Sequence, residues 1–245
     1  MEDSLFLSSG RIHTDWDFFL TREVRLLLYR IEQDMASSTF TPSEDKVLRF
    51  LSFPLSSVRI IILGQDPYPQ PGAATGRAFE VGTLKSWSQS FRNVSLKNIL
   101  RSIYQAYTGQ TLSFAHLREL FNREFPILPP NRLFEHWEKQ GVLLLNTAFT
   151  CETGSPGSHH QLWAAFTLQL LLYIQDHAPK ATWFIWGNHA RNATRDLDLP
   201  HKIETMHPMM CYDRPGREKD FLYGRVNCFE PFLGKIDWTG FQKIR

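Results

Sequence analysis

The sequence predicts a three-layer α/β/α fold around a central, mostly parallel four-stranded sheet. Three observations predict it. Four short apolar runs, at 58–63, 142–145, 182–186 and 203–206, are dense in β-branched, leucine and aromatic residues. Segments with apolar residues at helical spacing separate them. Each run closes on a polar or turn element: Gln65-Asp66, Asn146, Gly187-Asn188 and His207-Pro208. Strands alternating with helices point to parallel pairing through helical crossovers, with helices on both faces of the sheet.

In chain order, residues 15–35 carry Leu20, Val24, Leu27, Leu28 and Ile31 at helical spacing and predict a helix. Thr41-Pro42-Ser43-Glu44 reads as a second helix start, continuing over 46–51. The first strand spans 58–63, and Ile60-Ile61-Ile62-Leu63 is apolar enough to be buried on both faces, as parallel strands are. Gly64 and Pro67 then stop it. Helices follow over 95–107 and 165–174, and the remaining strands are 142–146, 182–187 and a shorter one over 203–208. Parallel strands bring their carboxyl ends to one rim, where open α/β sheets place ligand crevices. A carboxylate (Asp66), an amide (Asn146) and an imidazole (His207) therefore converge. Residues 1–245 read as one domain, with 1–15 an extension of unassigned role.

Composition sets the limits. A 42% hydrophobic, 21% charged chain is globular rather than disordered. A net charge of +2 is too small to argue for nucleic acid by itself, so the distribution has to decide. From Val81 to Arg118 there is no Asp or Glu, while Lys85, Arg92, Lys97, Arg101 and Arg118 are basic and Trp87, Phe91, Tyr104 and Tyr107 are interleaved. Such a surface suits a phosphate backbone with exposed bases. The helical spacing of Tyr104 and Tyr107 assigns those two to the core, which leaves 85–95 as the candidate DNA-facing segment. Cys151, Cys211 and Cys228 form no CxxC pair and no even set, against a disulfide framework and in favour of a reducing compartment. No run is long enough to span a membrane, and residues 1–9 lack signal-peptide character.

The rim excludes several chemistries. No cluster offers three or four metal ligands, Gly72-Ala73-Ala74-Thr75-Gly76 lacks the lysine of a phosphate cradle, and no serine elbow is present. No metal and no cofactor is expected. What remains is a carboxylate able to position water or stabilise a cation, with hydrogen-bonding groups for a planar ligand.

At this point the residues resemble a known family. Gly64-Gln65-Asp66-Pro67-Tyr68 is similar to the water-activating motif of the family 1 uracil-DNA glycosylases. The segment Gly76-Arg77-Ala78-Phe79-Glu80-Val81 resembles the one carrying the base-stacking Phe, and Gln140 to Thr147 resembles the base-reading strand. Ser95-Leu96-Lys97, Ser158-His159 with Trp163, Trp186-Gly187, His207-Pro208 and Ile236-Asp237-Trp238 follow the same order, so the resemblance runs from about Trp16 to Trp238.

The resemblance implies hydrolysis of the N-glycosidic bond of deoxyuridine in DNA as a step of base excision repair. Asp66 would position the water and stabilise the cationic sugar, and a neutral His207 would donate to uracil O2. Asn146 would read the Watson–Crick edge, Tyr68 would exclude a C5 methyl, Phe79 would stack on the ring, and the backbone near Gln65 would bind uracil oxygens. It implies single- and double-stranded uracil-containing DNA as partners, a uracil-mimicking inhibitor protein as an optional one, and a monomer. The implied compartment is the cytoplasm of a bacterium, or the nucleus for a eukaryote or a virus replicating there.

The DNA loops depart from the family. Pro69 replaces a His after the motif, and a proline has no N–H to give a phosphate. Lys85 to Val94 replaces a proline-rich loop. Met209-Met210-Cys211-Tyr212 stands where the family has Ser-Pro-Leu-Ser, with Cys211 at the wedge by direct counting and Met210 or Tyr212 the better apolar filler. Pro69, Ser95, Asn188, Met209, Met210 and Tyr212 are the candidate DNA contacts. Two alternatives stay open: a DNA-binding or replication-accessory protein with weak or no catalysis, and a glycosylase for another damaged base.

Overall fold

The computed structural model describes residues 4–8, 10–121 and 123–241. Its elements in chain order are α1 (Leu5–Ser8), α2 (Arg22–Met35), β1 (Phe40–Thr41), α3 (Glu44–Val47), β2 (Ile60–Gly64), α4 (Val94–Thr108), α5 (Phe114–Leu120) and α6 (Pro130–Lys139). Then come β3 (Val142–Asn146), β4 (Cys151–Glu152), α7 (His160–His177), β5 (Thr182–Trp186), α8 (Gly187–Ala193) and β6 (Lys202–Thr205). The main sheet has the order β3-β2-β5-β6, with all neighbours parallel. The short β1 and β4 pair antiparallel outside it.

The period-2 alternation of strands explains the layers. Ile61, Leu63, Leu143, Leu145, Trp183 and Ile185 face a core shared with Leu28 and Ile31 of α2 and Phe166 and Leu170 of α7. Their neighbours Ile60, Ile62, Leu144, Phe184 and Trp186 face a second core with Ile99 and Ile103 of α4 and Phe134 and Trp137 of α6. All five residues of β2 and of β3 are buried, so the three-layer reading and the doubly buried first strand both hold.

Several boundaries differ from expectation. The 15–35 helix breaks in two: a 3-10 turn at Thr14–Trp16, then α2, because the Thr21 side chain caps α2 by accepting from the Val24 N–H at 3.3 Å. The 46–51 helix is α3 followed by a 3-10 turn over Arg49–Ser52. The last strand stops at Thr205, which leaves His207-Pro208 in a loop. Helices α5, α6 and α8 were not anticipated, although Pro130 at the first turn of α6 with Leu133, Phe134 and Trp137 on one face is a helix signal.

Within the 1–15 extension, residues 1–3 and 9 lie outside the described residues; Phe6 and Leu7 are buried in the α2/α7 core, so this part of the segment is built into the fold. Nearby, Trp16 is fully buried and donates its indole N–H to the Phe53 carbonyl at 2.8 Å. Trp87 corrects the reading of the basic–aromatic segment. It is 4% exposed and donates to the Leu128 carbonyl at 2.8 Å, so it packs the core rather than facing DNA. Tyr104 and Tyr107 pack in the same core, as their spacing implied.

Ile62 lies at the centre of the sheet at 1% exposure. Ile62→Ala should lower unfolding free energy by about 2–5 kcal/mol in urea denaturation, the ordinary cost of a core cavity.

Candidate active site

The parallel register sets Gly64 of β2 opposite Asn146 of β3, at the carboxyl ends of both strands. A Cβ on Gly64 would lie 2.3 Å from Asn146 Oδ1 and 2.9 Å from the Ala78 Cβ. Glycine is thus required for the amide to lie across the strand end. The loop beyond Gly64 is tied to the residues just after β3. Thr147 N–H donates to Gly64 O (3.1 Å), Ala148 N–H to Gln65 O (2.9 Å) and Gly154 N–H to Pro69 O (2.9 Å). The Cys151 thiol, its pKa pushed up to about 12 by burial and by Asp66, donates to Pro67 O at 3.4 Å. These bonds fix the backbone on both sides of Asp66. One carboxylate oxygen of Asp66, Oδ2, accepts from the Gly157 N–H at 2.7 Å.

His207 closes the rim from the other side. Its Nδ1 accepts from the Met209 N–H at 3.1 Å, so the neutral ring carries its proton on Nε2 and presents a donor. Burial, and then the nearby His189, holds its pKa below the usual imidazole value. Gly187 permits this approach: its φ is +84°, and a Cβ there would lie 2.8 Å from the His207 Cβ. Asn98 of α4 anchors the loop by donating to the Pro208 carbonyl at 2.6 Å.

Phe79 lies between these groups, its ring 5.4 Å from Trp186 and 6.3 Å from His207. Among the described residues it is the non-glycine residue with a positive φ, 65°. Left-handed backbone costs an ordinary side chain about 1 kcal/mol or more, and such outliers gather at functional sites. The flanking residues hold it there. Arg77 and Glu80 form a buried ion pair at 3.0 Å, and Arg77 also pairs with Glu138 of α6. Tyr68 is packed against the same core, and burial pushes its phenol up to about 12 against a hydrogen bond with Asn93, so it is neutral.

Two histidines of this rim, His189 and His160, were missed in the sequence. His189, one position after the candidate Asn188, has its Nε2 2.5 Å from Thr147 Oγ1. Thr147 gives its own hydroxyl proton to Gln65 O at 3.0 Å, so the hydroxyl oxygen accepts from His189. The chain His189–Thr147–Gln65 thereby braces the peptide before Asp66. His189 is kept below the ordinary imidazole pKa by burial and by His160, against the opposing pull of Asp66. The sequence signal was the extension of the polar stretch past Gly187 into His189. Among the described residues no group of three His, Cys, Asp or Glu is placed to hold a metal ion.

Comparison with known proteins identifies the family. A family model described as the uracil DNA glycosylase superfamily matches residues 51–226. The chain belongs to the uracil-DNA glycosylase superfamily. It is 32% identical over 235 residues to "Uracil-DNA glycosylase 1" of Listeria innocua, covering 91% of this chain and 96% of that one. The wild-type UNG crystal structure from Nitratifractor salsuginis superposes with a TM-score of 0.67 at 27% identity, covering 84% and 87% of the two chains. A mimivirus UNG variant in complex with UGI shares the fold at a TM-score of 0.60 and 23% identity, over 83% and 72%.

Around the glycosylase rim, the candidate DNA contacts are mostly at the surface. Ser95 and Pro69 line a groove of about 750 Å³ with Tyr68, Arg92 and Met209. Asn188 is exposed, its carbonyl oxygen accepting from Arg191 at 2.8 Å. Met209, Met210 and Tyr212 are 56%, 46% and 47% exposed. Cys211 is turned inward onto the Pro208 carbonyl at 3.3 Å, which removes it as the wedge indicated by direct counting. Arg214 and Arg217 stack on Tyr212 at 5.4 and 5.0 Å, and Arg217 bonds to both Asp220 and the Met210 carbonyl.

Gly64→Ala should displace the Asn146 amide and reduce uracil release by about 10²-fold or more, as misplacing a positioning group by an ångström does. Single-turnover kinetics would read the rate. A thermal midpoint near that of the wild type would separate this from unfolding.

Proposed function

We propose that this uracil-DNA glycosylase uses the rim to hydrolyse the bond between C1′ of deoxyuridine and uracil N1, releasing uracil and leaving an abasic site. The observation that carries the reading is the convergence of Asp66, Asn146, His207 and Phe79 around one strand-end crevice. As the bond breaks, positive charge grows on the sugar and negative charge on uracil. A fixed Asp66 carboxylate stabilises the first, and the Nε2–H of neutral His207 meets the second at O2. Neither group has to reorganise at the transition state, which is where preorganised electrostatics gains its advantage over water.

Asn146 supplies specificity. Its carbonyl accepts from uracil N3–H and its amide donates to O4. Cytosine leaves both groups facing the wrong partner in a buried site, and such mismatches discriminate by about four to five decades. Tyr68 against C5 excludes thymine's methyl, Phe79 stacks on the ring, and the braced Gln65 backbone offers its N–H to a uracil oxygen.

A site whose Asn146 is 6% exposed reaches only an extruded or unpaired base. Lys85, Arg92, Ser95, Pro69 and Asn188 border the path of the strand, and the exposed Met209, Met210 and Tyr212 are the side chains available to fill a vacated stack. With no leucine wedge, single strands are the better substrate. The chain acts as one domain and as a monomer, in the compartment that holds the DNA. A uracil-mimicking inhibitor is a further partner, supported by the mimivirus fold relative solved with UGI. A purely DNA-binding role would leave this shared geometry of five pocket groups without a purpose.

Incubation with a uracil oligonucleotide followed by alkali should cut at the uracil position, and no cleavage at high enzyme concentration would sink the reading. Asp66→Asn should cost about 10²–10³-fold in turnover with the fold kept. Asn146→Asp should gain cytosine release; a strictly uracil-specific variant would refute the role given to Asn146. Matched single- and double-stranded substrates should differ in rate, in favour of the single strand.

A further inference from the structure

Asp66 has two carboxylate oxygens and only one is engaged by the backbone, Oδ2 by the Gly157 N–H. The other, Oδ1, faces Nε2 of His160 at 3.9 Å. That is too long for a direct hydrogen bond. It does allow a single water to lie at an ordinary distance of about 2.8 Å from both atoms at once. His160 Nε2 is inaccessible to solvent and makes no hydrogen bond to the protein among the described residues. The His160 backbone N–H donates to the Gly157 carbonyl at 3.3 Å, and the Gly157 N–H donates to Asp66. One glycine therefore sets both groups.

We infer that His160 is a further catalytic group, beside Asp66 and His207, whose Nε2 accepts a hydrogen bond and then the proton of the attacking water that Asp66 Oδ1 holds. The inference rests on the glycosylase reading of the rim. In the step, the C1′–N1 bond breaks with its electron pair leaving on uracil, and the water oxygen bonds to C1′. The water's proton passes to His160 Nε2 and is lost once the products leave and the site opens to solvent. An imidazole is a far better proton acceptor near neutral pH than a carboxylate, whose part is to stabilise the sugar cation. This divides the work: Asp66 holds the water and faces the sugar, and His160 handles the proton.

The surroundings keep His160 suited to that task. Its facing groups are Asp66, the Gly157 backbone and the His189 ring at 5.3 Å. His189 commits its Nε2–H to Thr147, and the adjacent His159 is turned away onto Thr150 at 2.9 Å.

The test is single-turnover uracil release from a uracil-containing single-stranded oligonucleotide, run in H2O and in D2O. It compares the wild type with His160→Ala and His160→Gln, with binding to abasic-site DNA and thermal midpoints measured alongside. His160→Ala should lower the rate about 10²-fold at neutral pH. His160→Gln can hold the water but not take its proton, so it should be slower and lose the wild type's solvent isotope effect. Both should bind abasic DNA as the wild type does. A His160→Ala or His160→Gln enzyme with the wild-type rate, or a slowed one with the solvent isotope effect intact, would overturn the inference while leaving the glycosylase reading standing. A wild type that releases no uracil would overturn both.

Discussion

The parallel register between β2 and β3 is the constraint on which the site depends. Because Gly64 pairs with Asn146, the Asn146 amide and the loop carrying Asp66 leave the sheet at the same level. Two buried cores, one on each face, hold that register, since a slip of one residue would turn every strand side chain to the wrong layer. The catalytic geometry is thus inherited from packing some distance below it. The rim adds only short-range ties: hydrogen bonds to the peptides of Gly64, Gln65, Pro67 and Pro69, and glycines where Cβ atoms would collide.

Charge is sparse around the rim. One carboxylate, Asp66, stands among the imidazoles of His160, His189 and His207, and burial keeps the latter two neutral. Each has a distinct partner: Asp66 for His160, Thr147 for His189 and the Met209 N–H for His207. A single negative charge in a ring of neutral dipoles is suited to a transition state in which cation and anion separate.

The sequence carried the sheet and its rim because buried strands are written as short runs that composition alone can identify. It also carried Asp66, Asn146 and His207, since each closes such a run. Phe79 was legible only through the family motif; its left-handed backbone, bracketed by the buried Arg77–Glu80 pair, is something a local pattern does not display. His160 and His189 were illegible for a related reason. They meet between the first turns of α7 and α8, nearly thirty positions apart, and nothing in their immediate neighbours signals the meeting. Trp87 failed in the opposite direction: basic neighbours made a core residue look like a DNA contact. Helices α5, α6 and α8 are short or end-capped by proline and glycine, where periodicity has too few turns to register.

Phe79 carries a wider consequence. Its backbone conformation is one that glycine adopts freely and phenylalanine does not, so a ring is kept at this position against the preference of its own residue. On the proposed role of that ring as the stacking surface, selection for a more robust fold and selection for a tighter grip on the base pull this position in opposite directions. A glycine here would relieve the backbone and remove the ring in the same step.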